Sequence, residues 1–198
     1  MIKDFSYLEG LNAGAYRYDI WIPEQPLVVL GRSRSEEQDL NLQAVMSDSI
    51  SIIRRVTGGG TVYLDSGCIV VDIAYKALDR SRAIDFIAIG NSYIVSAFDK
   101  IGIHADTDPL WPDVKIGKNK VSGSSLAIKN TLFLFSASII YGKQTIEGIE
   151  KYIEVPTRAP SYRQGRNHRD FLLSIDSIGS FSQNAFVDIL NEVLSNAL

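Results

Sequence analysis

The chain has 198 residues, 20 lysines and arginines against 23 aspartates and glutamates (net charge −3), and 45% hydrophobic residues. That balance allows a full-sized core in one domain and gives no general pull toward nucleic acid or a membrane surface. The one cysteine, Cys68, excludes an internal disulfide and a cysteine-built metal cluster, and two histidines far apart, His104 and His168, argue against a His-rich metal site.

The opening residues, Met1 to Phe5, show no apolar signal core, and no apolar run reaches membrane-span length, so a cytoplasmic protein is expected. Residues 5–19 are mixed and give no firm element. Trp21-Ile22-Pro23-Glu24-Gln25-Pro26 is a proline-marked turn, and Leu27 to Leu30 is a short buried strand stopped by Gly31. Ser35 is an N-cap candidate for a helix reaching about Met46, with Glu36 and Glu37 in its first turn. β-branched runs at Ile50–Ile53 and Cys68–Ala74 read as strands on either side of a glycine-rich loop. Ile84, Ile87, Ala88, Ile94, Val95, Phe98 and Ile101 have helical spacing over 83–101; Gly102 is the stop, and Gly90 and Asn91 interrupt the stripe.

Further along, Asp106-Thr107-Asp108-Pro109 and Trp111-Pro112 read as turns, and Asp113–Ile116 as a short strand. Leu126–Ile128 and Thr131–Tyr141 form a hairpin across Lys129-Asn130. Glu147–Ile153 is a short helix, an irregular basic segment runs from Pro156 to about Asp170, and Ser182 caps a last amphipathic helix facing Ala185, Phe186, Ile189, Leu190, Val193 and Leu194 inward. There is no internal repeat or low-complexity tract, so one domain over 1–198 is expected.

Two stretches carry chemistry. Arg54-Arg55-Val56-Thr57-Gly58-Gly59-Gly60-Thr61-Val62-Tyr63 places three glycines between strands. Such a loop has little side-chain bulk and lets backbone approach a ligand closely. The arginines at its mouth offer planar donor forks suited to carboxylate or phosphate. The second stretch is Gly117-Lys118-Asn119-Lys120-Val121-Ser122-Gly123-Ser124-Ser125. A lysine on a strand turn, followed by small residues, presents a point charge beside backbone N–H groups, an environment for a carboxylate turning into an acyl phosphate. It is not a phosphate loop: asparagine follows Gly117-Lys118, no glycine lies five residues earlier, and no helix follows.

In order and separation, the two stretches resemble the R-R-x-[ST]-G-G-G-x-V and K-[IV]-[ST]-G-[SN] signatures of the lipoate–protein ligase A and octanoyltransferase group. The resemblance runs from about Leu27 to Tyr141. It implies the α/β (α+β) fold shared with biotin–protein ligase, a mixed sheet flanked by helices. It implies that Lys120 touches the acyl carbonyl and the adenylate phosphate. Arg55, Thr57, Gly58, Gly59, Gly60, Thr61, Val62 and Tyr63 would line the adenylate and the acyl chain, with Gly123 and Ser124 beside the lysine. Asp113 would be the acidic residue ahead of the lysine motif, and Ser136 and Ala137 would fall at the acyl-chain wall. In the ligases, lipoate or octanoate reacts with ATP, as its Mg²⁺ complex, to an acyl-adenylate that is passed to a lysine of a lipoyl-domain acceptor; no protein side chain is expected to hold the metal.

Where many members carry histidine after the V-Y pair this chain has Leu64, which removes a polar contact. The loop His104-Ala105-Asp106-Thr107-Asp108-Pro109, where some transferases of the group place a nucleophile, has no cysteine. Cys68 opens an apolar strand and reads as a small core residue. The chain has little room for the accessory domain of the larger ligases, which would be a separate chain or absent. Pro160-Ser161-Tyr162-Arg163-Gln164-Gly165-Arg166-Asn167-His168-Arg169-Asp170-Phe171 resembles a run in a less characterised branch of the group. It reads either as a basic rim steering an acidic acceptor or as a structural segment. Three functions stay open: an ATP-dependent ligase, an octanoyltransferase drawing on acyl carrier protein, and a non-catalytic lipoyl- or acyl-binding protein.

Overall fold

The computed structural model describes residues 1–78 and 85–198. Strands are β1 (Tyr16–Trp21), β2 (Leu27–Leu30), β3 (Ser51–Arg54), β4 (Val62–Leu64), β5 (Cys68–Lys76), β6 (Asp106–Thr107), β7 (Asp113–Ile116), β8 (Asn119–Lys129) and β9 (Leu132–Ile140). Helices are α1 (Glu36–Asp39), α2 (Leu42–Ser47), α3 (Asp85–Lys100), α4 (Lys143–Tyr152), α5 (His168–Phe171) and α6 (Gln183–Ala197).

Strand β5 is covered on both faces, which is why it reads as a near-continuous apolar run. Ile69, Val71 and Ile73 point to one face and meet Ile94 and Phe98 of α3 and Phe186 and Leu190 of α6. Fully burying each of these side chains stabilises the fold by about 1.5–3 kcal/mol. Cys68 and Val70 point to the other face, against Val29 and Leu64. The six-stranded sheet runs β1-β5-β9-β8-β7-β6, with every neighbouring pair antiparallel. A three-stranded sheet, β3-β2-β4, lies on the Cys68 face, and its β2–β3 pair is parallel. The expected mixed α and β architecture holds; β2–β3 is the parallel pair among the named strands, and an isolated parallel bridge joins Lys120 to Leu172.

Several elements differ from their sequence reading. The helix expected from Ser35 to Met46 is two short helices, because Leu40 between them is buried and bridges Ile153. The Ser35 side chain bonds Glu37 instead of capping. β3 and β4 do not pair with each other; both flank β2, so the glycine loop crosses the end of the sheet and closes no hairpin. Asp106-Thr107, expected as a turn, forms the edge strand β6. The expected hairpin begins seven residues early, since β8 is one strand from Asn119 and carries Lys120 to Ser125 in its ladder. Helix α4 begins at Lys143, ahead of Glu147.

The expected start of the third helix, Ala83 and Ile84, lies outside the described residues; from Asp85 the helix runs as expected, with Gly102 at positive φ beyond its end. Gly90 in its middle has a packing reason: a Cβ there would sit 2.5 Å from the Phe135 ring. Ser182 caps α6 as expected, its oxygen accepting from the Ala185 N–H. No helix of the described residues is long and apolar enough to cross a membrane.

Candidate active site

The glycine loop folds against the end of β2, and arginine side chains hold it there. Arg55 donates to the carbonyls of Gly58 (2.8 Å) and Gly60 (2.6 Å) through Nη2, and to that of Val29 (3.2 Å) through Nη1. Arg54 donates to the carbonyls of Gly31 (3.2 Å) and Arg34 (2.6 Å). The Arg55 fork and Nη1 of Arg54, expected to meet an anion, are therefore engaged by backbone oxygens. The cause is physical: a loop without side chains has carbonyls that something must satisfy. Burial lowers the Arg55 guanidinium to about 10. Gly31 lets the loop approach, since a Cβ there would lie 2.2 Å from the Gly59 carbonyl oxygen. Thr57, buried, accepts from the Ser125 hydroxyl at 2.9 Å and ties the loop to β8. Thr61 donates to Asp39, which also pairs with Arg34.

Lys120 projects from the first turn of β8, with its amine 2.7 Å from Asp113 Oδ1. The other oxygen of Asp113 accepts from the Tyr162 hydroxyl at 2.7 Å. Asp113 is buried and Lys120 is 27% exposed, so the carboxylate anchors an amine that remains accessible. Gly123 makes the space: a Cβ there would lie 2.6 Å from Lys120 Nζ. The backbone N–H of Ser124, expected as a ligand donor, bonds the Pro112 carbonyl at 2.7 Å and belongs to the fold.

One cavity of about 880 Å³ joins these parts. Thr57, Gly59, Gly60, Thr61, Val62 and Tyr63 line it, with Arg55, Asp113, Lys120, Gly123, Ser124, Ser136 and Ala137. Gly58 alone of the expected site residues is not in the lining; its carbonyl accepts from Arg55. The cavity lining combines an apolar group, Val29, Leu64 and Val70, which pack together with Cys68, with Trp111, Arg158, Arg163 and His168 from the segments around Pro112 and Pro160. Lys120 and Asp113 lie in the same lining. No cluster of potential metal ligands occurs among the described residues.

Cys68, read from the sequence as a small core residue, is buried and also lines the cavity, and burial pushes its thiol up to about 12. Two features of the cavity went unnoticed in the sequence. Tyr162 completes the pairing of Asp113. Asp72 brings a buried carboxyl to the cavity, and the signal was an aspartate inside the apolar run of β5. Strand register aligns Asp19, Asp72, Ser136 and Ser125 in one row across four strands. Asp72 accepts from the Ser136 hydroxyl and from the Trp21 indole, the latter at 2.8 Å.

Burial raises the Asp72 carboxyl above the usual carboxylate range, outweighing those two hydrogen bonds. A carboxyl raised in the folded state binds its proton more tightly folded than unfolded. Its contribution is therefore full at low pH and is lost as pH rises through the raised value. The melting temperature of wild type minus that of Asp72→Asn should fall as pH rises above about 4, where an ordinary carboxylate is already ionised. A difference independent of pH would show that the folded-state shift is absent.

Comparison with known proteins fits this geometry. Residues 15–194 match the lipoyl protein ligase A/B catalytic domain. Lipoate–protein ligase 1 of Staphylococcus aureus is 24% identical over 117 residues, 59% of this chain and 35% of that protein. A bipartite lipoate protein ligase of Thermoplasma acidophilum, from a structural analysis that includes its E2 lipoyl domain, superposes with TM-score 0.83 at 18% identity, covering 98% of this chain and 75% of that one. A lipoate-protein ligase A crystallised with ATP superposes with TM-score 0.76 at 18% identity, covering 91% and 71%. The matched segments span 33–44% of the length of the first curated relatives. With nine-tenths of its length matched and with this fold, the chain belongs to the lipoyl protein ligase A/B catalytic-domain family.

Proposed function

We propose that this cleft activates a medium-chain acid, lipoate or octanoate, with ATP and passes the acyl group to a lysine of a lipoyl-domain acceptor. The observation that carries the reading is the placement of Lys120, held by Asp113 in a cavity lined by both apolar side chains and cations. The acyl chain lies against the apolar lining formed by Val29, Leu64 and Val70, with Ala137. The substrate carboxylate then lies beside the glycine loop and Lys120.

In the first step the carboxylate oxygen attacks the α-phosphorus of ATP, supplied as its Mg²⁺ complex, and diphosphate leaves. In the second the acceptor amine attacks the acyl carbonyl, loses a proton and releases AMP. Neither step needs a protein nucleophile. Both need positioning and a cation where negative charge develops, which Lys120 supplies. ATP bound to one related ligase and the bipartite organisation of another support the reading, and the latter favours a separate accessory chain.

The test is the mass of a lipoyl acceptor domain after incubation with this protein, lipoate, Mg²⁺ and ATP, with and without an accessory-domain chain. A gain of one lipoyl group that requires ATP is expected. No gain and no acyl-adenylate under either condition would overturn the reading. The octanoyltransferase alternative needs a thiolate, and Cys68 is a poor candidate: it is 1% exposed, with its sulfur 3.8 Å from the Thr145 hydroxyl. Cys68→Ala should keep ATP-dependent transfer within about threefold of wild type, the cost being the packing of one small buried group. Loss of transfer in a folded Cys68→Ala protein, with an acyl thioester found on the wild type, would favour the transferase.

A further inference from the structure

We infer that Arg163 forms the core of a diphosphate-binding subsite at the C-terminal end of the cleft, built by the Tyr162–Phe171 segment and not by the arginines of the glycine motif. The inference rests on the activating role just proposed only for the use of the subsite; binding itself is independent of it.

Arg54 is exposed and is not among the cavity-lining residues; Arg55 is committed to backbone carbonyls, Arg34 pairs with Asp39, and Lys120 pairs with Asp113. Arg163 is different. It is 4% exposed, lines the cavity, and has no carboxylate partner among the described residues. Its Nε donates to the Arg166 carbonyl at 2.8 Å, and its guanidinium lies 4.8 Å from the centre of the Phe171 ring. Its Nη2 contacts His168 Nδ1 at 3.5 Å. Since Arg163 can only donate, His168 accepts there and carries its proton on Nε2, directed at the Glu154 carbonyl 3.3 Å away. Burial and the adjacent Arg163 cation hold His168 below its ordinary value, so the neighbour of Arg163 is neutral.

A second cation, Arg166, packs on the same Phe171 ring at 5.3 Å, with its own donors on the carbonyls of Tyr162, Arg163, Lys118 and Asp170. Nη1 of Arg163 has no hydrogen bond among the described residues, and it is not among the atoms sealed away from solvent. A buried cation left without a counter-charge is costly, and an anion entering from the cavity removes that cost. The guanidinium edge is a fork that fits phosphoryl oxygens. Arg158, stacked on Trp111 at the same end, adds an exposed cation at the rim. Glu154 is the exposed carboxylate at that rim.

A diphosphate group has two sources in acyl activation: the leaving group of ATP, or the diphosphate of a coenzyme A-type acyl donor. Calorimetric titration of the full chain with inorganic diphosphate, with ATP and with coenzyme A, at matched ionic strength, separates them. Diphosphate is expected to bind wild type and to raise its melting temperature, and Arg163→Gln should weaken that binding at least tenfold. Because the empty site holds an uncompensated cation, Arg163→Gln without ligand should melt at or above wild type, whereas a purely structural arginine would leave it less stable. ATP binding without coenzyme A binding assigns the subsite to the leaving group; the converse assigns it to a thioester donor.

If Arg163→Gln does not fold, His168→Phe, which removes the acceptor orienting Arg163, should weaken diphosphate binding in the same direction. Diphosphate binding no tighter than sulfate, or unchanged in the folded variants, overturns the subsite. Diphosphate binding that depends on Arg163, in a protein that makes no acyl-adenylate, would keep the subsite and overturn only the activating role.

Discussion

Lys120→Met is expected to lower acyl-adenylate formation by roughly a thousandfold, the scale of losing one preorganised charge at a developing anion, while the fold survives. The side chain leaves no hole in a packed core: the amine is partly exposed and its hydrogen-bonded anchor is Asp113. What the variant loses in stability is the partner of a buried carboxylate, which keeps the Tyr162 hydroxyl. On the order of 1–3 kcal/mol is reasonable for that loss. Lys120→Arg keeps the charge but swaps a compact ammonium for a planar fork in a space set by Gly123, so it should not restore the rate. Gly123→Ala supplies an independent check. Its Cβ meets the flexible end of Lys120, so the amine is pushed off Asp113 without being deleted, and a partial loss of rate is expected with near-normal melting. Single-turnover formation of acyl-adenylate reads the rate, and thermal melting reads the fold. Wild-type rates in Lys120→Met would remove the lysine from the chemistry altogether.

The two motifs were legible because their signals are local. Three adjacent glycines and a lysine followed by small residues announce close backbone approach and a presented charge whatever the rest of the chain does. The amphipathic helix after Ser182 was legible for the same reason. What escaped depends on register between distant segments. Tyr162 meets Asp113 across 49 residues, and Asp72 meets Trp21 and Ser136 across 51 and 64. Nothing local to Leu40 says that it will bridge Ile153 and divide a helix. The hydrogen bonds of Arg54 and Arg55 were not legible, because a sequence shows donors more readily than it shows the carbonyls that will claim them. The basic segment after Pro160 offered two readings, a steering rim and a structural piece, and its arginines separate. Arg166 straps the segment to the Lys118 carbonyl, and Arg163 faces the cavity.

Gly31→Ala carries the second large expected effect, and the reason lies in what the new methyl would meet. A Cβ at Gly31 falls 2.2 Å from the Gly59 carbonyl oxygen and 3.1 Å from Arg34 Cγ. The first contact is backbone. Gly59 cannot step aside alone, because Arg55 holds the carbonyls on either side of it and the Arg32 N–H bonds the Thr57 carbonyl at 3.0 Å. Relief therefore requires the whole loop to shift away from β2. Overpacking of this kind costs about 1–3 kcal/mol, and a melting shift of that size is expected. The effect on function should be larger, because the displaced segment lines the cavity opposite Lys120, and a misplacement near 1 Å can cost about a hundredfold in rate. Gly60→Ala is the discriminating control. Gly60 belongs to the same loop, but nothing lies within 4 Å of a Cβ there and its φ is not positive, so its melting temperature should stay close to wild type. If Gly31→Ala and Gly60→Ala melt and react alike, close approach of the loop to β2 is not what shapes the site. If only Gly31→Ala fails, the close approach of Gly31 to Gly59, backbone packed on backbone, sets where an acyl carboxylate can lie.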